Sequence, residues 1–121
     1  MADVKTKTRR ALHSTHLDSA MHIGERIRDK KGEETLVIDV SKVGTIADFM
    51  VITSVESSPQ LRAIAEDLRL YAKNKLHWEV HVAGTWDSEW VVIDMGGIIV
   101  HVLHKHLRDY YKLEELWLHG G

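Results

Sequence analysis

The chain is expected to fold as an α/β protein, with a single mixed β-sheet of about five strands and flanking helices. Three observations predict this. Short β-branched runs recur between segments of helical spacing. A capped amphipathic helix separates the second of these runs from the third, long enough to be a crossover between parallel strands. Near the C-terminal end, two apolar runs flank Gly96-Gly97 and read as a hairpin.

In chain order, residues 1–11 carry Lys5, Lys7, Arg9 and Arg10 against Asp3, too polar to bury much surface, and are expected to form a flexible basic tail. Leu17, Ala20, Met21, Ile23 and Ile27 then fall at helical spacing, and Gly32 behind a cationic last turn offers a stop. Residues 35–40 and 47–54 read as two strands, and the short loop between them favours an antiparallel pair. Ser57-Ser58-Pro59 opens the marked helix, with Leu61, Ile64, Ala65, Leu68 and Ala72 as its apolar stripe over residues 57–75. Proline costs nothing in a first turn, because its missing N–H has no intrahelical partner there. Residues 77–83 alternate as a third strand, with Trp78, Val80 and Val82 on one side. Residues 90–95 and 98–103 complete the sheet, the hairpin setting Met95 beside Ile98 and Asp94 near Ile99. A final helix carries the aromatic end of the chain. No repeat, linker or low-complexity block interrupts the sequence, so one domain is expected.

A length of 121 residues can bury a real core, and 44% hydrophobic with 28% charged residues is ordinary for a globular chain. No apolar run approaches the about 20 residues that span a bilayer, and no secretory signal pattern opens the chain. With no cysteine, disulfide and thiol chemistry are excluded, and a reducing, cytoplasmic setting is expected. A net charge of −2 gives no global pull toward nucleic acid.

Nine histidines invite a metal reading, but their spacing suits neither a helical ligand pair nor a ligand loop, so no metal is expected. Nucleophile elbows and phosphate-binding loops are absent, and no cofactor or catalytic residue is assigned. What stands out is surface chemistry. Four tryptophans are many for a small domain, and Trp90, Met95, Tyr110, Tyr111, Leu113, Leu116 and Trp117 concentrate in one region.

Trp-Val-Val-Ile-Asp-Met-Gly from Trp90, Val-His-Val around His101 and Arg-Asp-Tyr-Tyr-Lys-Leu-Glu-Glu-Leu-Trp from Arg108 resemble the signature of the ribosomal silencing factor (Iojap-like) family. The likeness extends upstream through Ala47-Asp48-Phe49-Met50-Val51-Ile52 and the Gln60-Leu61-Arg62 segment, covering roughly residues 17–118. It implies a single Iojap-like α/β domain over residues 12–121, in a fold similar to that of nucleotidyltransferases. It also implies binding to the large ribosomal subunit through its protein fourteen, at the face where the small subunit docks, so that subunit joining is blocked and translation repressed. Homodimers are common in the family. No direct nucleic-acid specificity and no membrane partner are implied.

The matching positions are Asp48, Trp90, Asp94, Gly96, His101, Arg108, Tyr111, Leu113, Glu114, Leu116 and Trp117. Trp90, Met95 and residues 108–117 are expected to form the contact, with Arg108 orienting it and His101 as a hydrogen-bonded support. Two alternatives are a nucleotidyltransferase-like enzyme and a dimeric scaffold without ribosome contact. The enzyme is disfavoured because no Asp-x-Asp or Asp-x-Glu pair lies on the strands carrying Asp39, Asp48 and Asp94. The loop before the second helix also has Glu56 where phosphate would bind. Family members usually carry Gly-Asp at the hairpin where this chain has Gly96-Gly97, a change expected to remove a charge beside the contact surface.

Overall fold

The computed structural model describes residues 2–43, 47–85 and 87–111. Helix α1 (Ala2–Asp29) leads into strand β1 (Glu33–Asp39) and a single 3-10 turn at Ser41–Val43. Strand β2 (Phe49–Val55) and helix α2 (Ser58–Tyr71) follow, then a π-turn (Ala72–Leu76) and a short β3 (His81–Ala83). Strands β4 (Trp90–Asp94) and β5 (Ile98–His104) form the hairpin, and α3 (Lys105–Tyr111) leaves its end.

The five strands make one mixed sheet in the order β1-β2-β5-β4-β3. β1 and β2 pair antiparallel, as the short loop requires. β2 and β5 pair in parallel from Phe49 opposite Ile98 to Val55 opposite His104. Parallel neighbours need a long crossover, and α2 together with β3 and β4 supplies it. The hairpin register sets Asp94 opposite Ile99, and the Met95 N–H donates to the Ile98 carbonyl at 2.9 Å. Gly96 takes the left-handed position at φ 86°, which the tight turn requires.

Helices α1 and α2 lie on one face of the sheet. Ala20, Ile23 and Ile27 of α1 and Leu61, Ile64, Ala65 and Leu68 of α2 meet Val51, Val55, Val91, Ile93, Val100 and Val102 in a single core. Burying each large aliphatic side chain here contributes about 1.5–3 kcal/mol. Ser57 caps α2, its Oγ accepting from the Gln60 N–H at 3.2 Å, and Pro59 sits in the first turn. Arg26 ties the helices together, clamping Asp67 through Nε and Nη2 at 2.9 and 2.8 Å while its guanidinium lies 4.5 Å over the Tyr71 ring.

Several expectations are corrected. The segment read as a flexible tail over residues 1–11 belongs to α1 from Ala2 onward, since neither glycine nor proline interrupts the chain before Gly24. The buried stripe of α1 is rotated from the one expected: Leu17 and Met21 are exposed, while Ser19, Ala20, Ile23 and Ile27 are buried. The left-handed residue after α1 is Lys31 at φ 68°, not Gly32. Gly32 serves close approach instead, since a Cβ there would run into Ile27 and stand 2.6 Å from Thr53 Oγ1. The third strand shrinks to His81–Ala83, because His77 adopts a left-handed conformation (φ 58°) and the Trp78 N–H closes the turn on the Ala72 carbonyl. Trp78 and Val80 still pack against the core, whereas Val82 is exposed.

A candidate recognition face on the sheet

Alternation along each strand gives the sheet a second face, turned away from α1 and α2. The registers place Leu36, Ile52, His101, Val92 and Ala83 in one row across it. Ile38, Met50, Ile99, Asp94 and His81 form the next row, and Ser54, Leu103 and Trp90 a third. Ile52 and Leu103 are fully buried and Met50 nearly so. Trp90, Val92, Asp94, Ile99 and His101 are half-buried, and Leu36 is exposed.

Trp90 and His101 are joined. The indole Nε1–H donates to His101 Nδ1 at 3.1 Å, with ring centroids 5.9 Å apart and planes tilted by 57°. An acceptor at Nδ1 fixes the neutral ring as the tautomer that carries its proton on Nε2. Burial holds the His101 pKa below the ordinary histidine range, because the charged ring would lose its hydration. Asp94 accepts from the Gly96 N–H at 2.9 Å and so ties the turn to its strand.

Helix α3 packs against β5 and β2 at the end of this face. Its Arg108 is only 3% exposed, and Nη1 donates to Ser54 Oγ at 3.1 Å, a hydroxyl itself 1% exposed. A buried guanidinium is costly unless hydrogen-bonded, so this contact anchors α3 to the sheet. Lys105 lies 3.7 Å from Glu33 and 4.0 Å from Glu56, and His106 meets Glu89 at 3.2 Å.

The expected contact set is therefore divided. Trp90, Asp94 and His101 share the second face. Met95 does not: it is 3% exposed and belongs to the helix-side core, so it cannot act as a surface anchor. Arg108, expected to orient the contact, is 3% exposed and bonded to Ser54 of β2. Gly96 is exposed at the turn, and Tyr111 closes α3. Leu113, Glu114, Leu116 and Trp117 lie outside the described residues.

The three aspartates are dispersed among separate duties. Asp39 Oδ1 accepts from the Ser41 N–H, Asp48 binds His16, and Asp94 holds the turn. Among the described residues, no group of three or more His, Asp or Glu side chains is placed to hold a metal ion.

Two devices escape sequence reading. His16 Nδ1 stands 2.7 Å from Asp48 Oδ2, and its ring meets Trp78 edge-on at 5.5 Å. That ring rests directly on Gly97, where any Cβ would collide with it. The Gly-Gly hairpin, expected to matter as a missing surface charge, thus makes room for α1. Gln60 is the second device. Its Nε2 donates to the Lys30 and Lys31 carbonyls at 3.2 and 2.9 Å, while Oε1 accepts from the Glu56 N–H at 2.9 Å. It staples the end of α1 to the start of α2, and neither spacing nor periodicity signals such a contact.

The fold and this face define a small mixed-sheet α/β protein with a tryptophan hydrogen-bonded to a histidine on the side away from its long helices. The family model described as "Ribosomal silencing factor during starvation" matches residues 13–120, and the chain belongs to that family. It is 37% identical over 91 residues to the ribosomal silencing factor RsfS of Halalkalibacterium halodurans, covering 75% of this chain and 78% of the relative. The RsfS of Bacillus subtilis is 35% identical over 89 residues, with 74% and 75% covered. A crystal structure of a Chromobacterium violaceum protein superposes with a TM-score of 0.74 at 29% identity, covering 83% of this chain and 84% of that one.

Proposed function

We propose that this chain acts in the cytoplasm by binding the large ribosomal subunit through its protein fourteen. It occupies the face where the small subunit docks, blocks subunit joining and so represses translation. The match to the silencing-factor family over residues 13–120 carries this reading. The second sheet face supports it with a half-buried Trp90 bonded to His101 and flanked by Val92, the kind of rigid aromatic that anchors protein interfaces. A net charge of −2 favours a ribosomal protein over bare RNA as the direct contact.

The test is co-sedimentation with isolated large and small subunits, followed by a subunit-joining assay. Binding to the large subunit alone, with fewer joined ribosomes as protein is added, is the expected result. Joining that proceeds unchanged at saturating protein overturns the reading. Trp90→Ala is expected to weaken large-subunit binding by about 30-fold, the loss of one interface hot spot of about 2 kcal/mol.

A further inference from the structure

We propose that His101 is a positioning residue for docking at the second sheet face. Its neutral, Nε2-protonated ring holds the Trp90 indole in the orientation a protein partner contacts, and protonation releases the indole and weakens docking. This rests on the ribosome reading above for the partner, but the lock itself is a property of the free protein.

Three features carry it. The Trp90 Nε1–H has His101 Nδ1 as acceptor at 3.1 Å. A second proton on the imidazole must go to Nδ1, the only nitrogen of the neutral ring with a free lone pair, and two N–H donors then face each other. The ring also sits in the middle of the sheet, paired with Ile52 on one side and Val92 on the other, so it cannot swing away without disturbing both neighbours.

The surroundings offer the imidazolium little compensation. Among the described side chains, which on α3 run no further than Arg108, the charged or titratable ones on this face are Asp94 on β4, His81 on β3, Arg108 on α3 and Glu33, opposite Ser54, on β1. Asp94 is bound to the Gly96 N–H, His81 stands 3.6 Å from Glu79, and Arg108 donates to Ser54. β1 and β2 otherwise present Leu36, Ile38, Met50, Ile52 and Ser54 there, and Glu33 lies 3.7 Å from Lys105. Lys105 and His106 of α3 are turned to Glu33, Glu56 and Glu89. Burial is the cause that lowers the affinity of this ring for a proton. Docking therefore stays constant near neutral pH and falls only below the ordinary histidine range.

Two measurements on the full chain test this. The first is the indole N–H resonance of Trp90 in nitrogen-15-labelled free protein, assigned with Trp90→Phe and followed against pH. It should shift in step with the titration of His101, and in His101→Leu it should move to a position that no longer responds to that step. The second is the affinity for isolated large subunits between neutral and mildly acid pH, compared across variants. His101→Gln offers a carbonyl acceptor that never protonates, so it should keep the binding and lose the acid step. His101→Leu, apolar and of similar size, should bind about tenfold more weakly at neutral pH, the worth of one hydrogen bond of about 1.4 kcal/mol. Trp90→Phe should lose the acid step with His101 intact.

An indole resonance indifferent to pH and to His101→Leu overturns the lock. A His101→Leu protein that binds as wild type overturns the positioning role. If wild type fails to bind subunits, the ribosome reading falls, and the indole resonance still decides the lock on its own.

Discussion

Along β4, Val91 and Ile93 point to the helices while Trp90, Val92 and Asp94 point the other way. The first set is fully buried among aliphatic side chains from α1, α2, β2 and β5. The second set is half-buried and mixes an indole, a valine and a carboxylate, held by hydrogen bonds to His101 and Gly96. One strand thus serves two kinds of stabilisation. Its helix side depends on volume and shape, where any missing methyl is felt. Its other side depends on orientation, with the Trp90 indole N–H bonded to His101.

Substitutions on one strand can separate the two roles. The largest stability effect is expected for Ile93→Ala, which leaves a cavity under α1 and α2 and costs about 2–5 kcal/mol in denaturant unfolding. Its large-subunit affinity, measured where the variant is still folded, is expected to stay near wild type. Trp90→Ala should show the reverse balance, a smaller loss of stability with a larger loss of binding. If both substitutions lower affinity equally, the two faces are not functionally distinct.

Arg108→Met is the next largest. It preserves much of the side-chain volume but leaves the Ser54 hydroxyl, 1% exposed, without this donor. An orphaned buried hydroxyl costs about 1–3 kcal/mol, and hydrogen exchange in α3 should accelerate more than in α2. Equal acceleration in both helices would show that Arg108 supports the whole fold rather than the α3 attachment.

Much of the fold was legible because local chemistry dictates it. Ser57 and Pro59 mark the start of α2, and Gly96-Gly97 between apolar runs fixes the hairpin register. The parallel pairing of β2 with β5 rests on contacts between distant residues and was legible only as a crossover long enough to permit it. The candidate face was half legible. Trp90 and Met95 are five positions apart, so alternation along the strand puts them on opposite sides of the sheet. His101 was recognisable as a hydrogen-bonded histidine, but its partner depends on Trp90 lying beside it across the β4–β5 pair. Leu17 and Met21 fit the apolar stripe by type and spacing, yet both are exposed. His16 and the glycine beneath it set the rotation of α1 instead, and a polar residue on a helix carries no such signal.

That packing gives the third expectation. Gly97→Ala drives a methyl into the His16 ring, so either the ring leaves Asp48 or the hairpin shifts. Overpacking of this kind costs about 1–3 kcal/mol. In a His16→Ala background the same substitution should cost much less, and the double-mutant cycle measures the coupling directly. Additive effects would mean that the ring moves aside freely and that Gly97 answers to the turn alone.

The smallest effect belongs to a residue that supports only one side of the sheet. Ser57→Ala removes the side-chain acceptor for the Gln60 N–H at the start of α2, at a cost of about 1 kcal/mol. The cap is exposed, so water partly replaces the lost bond, and Pro59 still favours the helical start. Helix α2 packs on the face away from His101 and Trp90. The variant should therefore melt earlier while keeping both the wild-type affinity for large subunits and its acid dependence. A changed acid dependence in Ser57→Ala would mean that order in α2 is transmitted through the sheet to the Trp90–His101 bond, and the two faces would then have to be treated as one coupled unit.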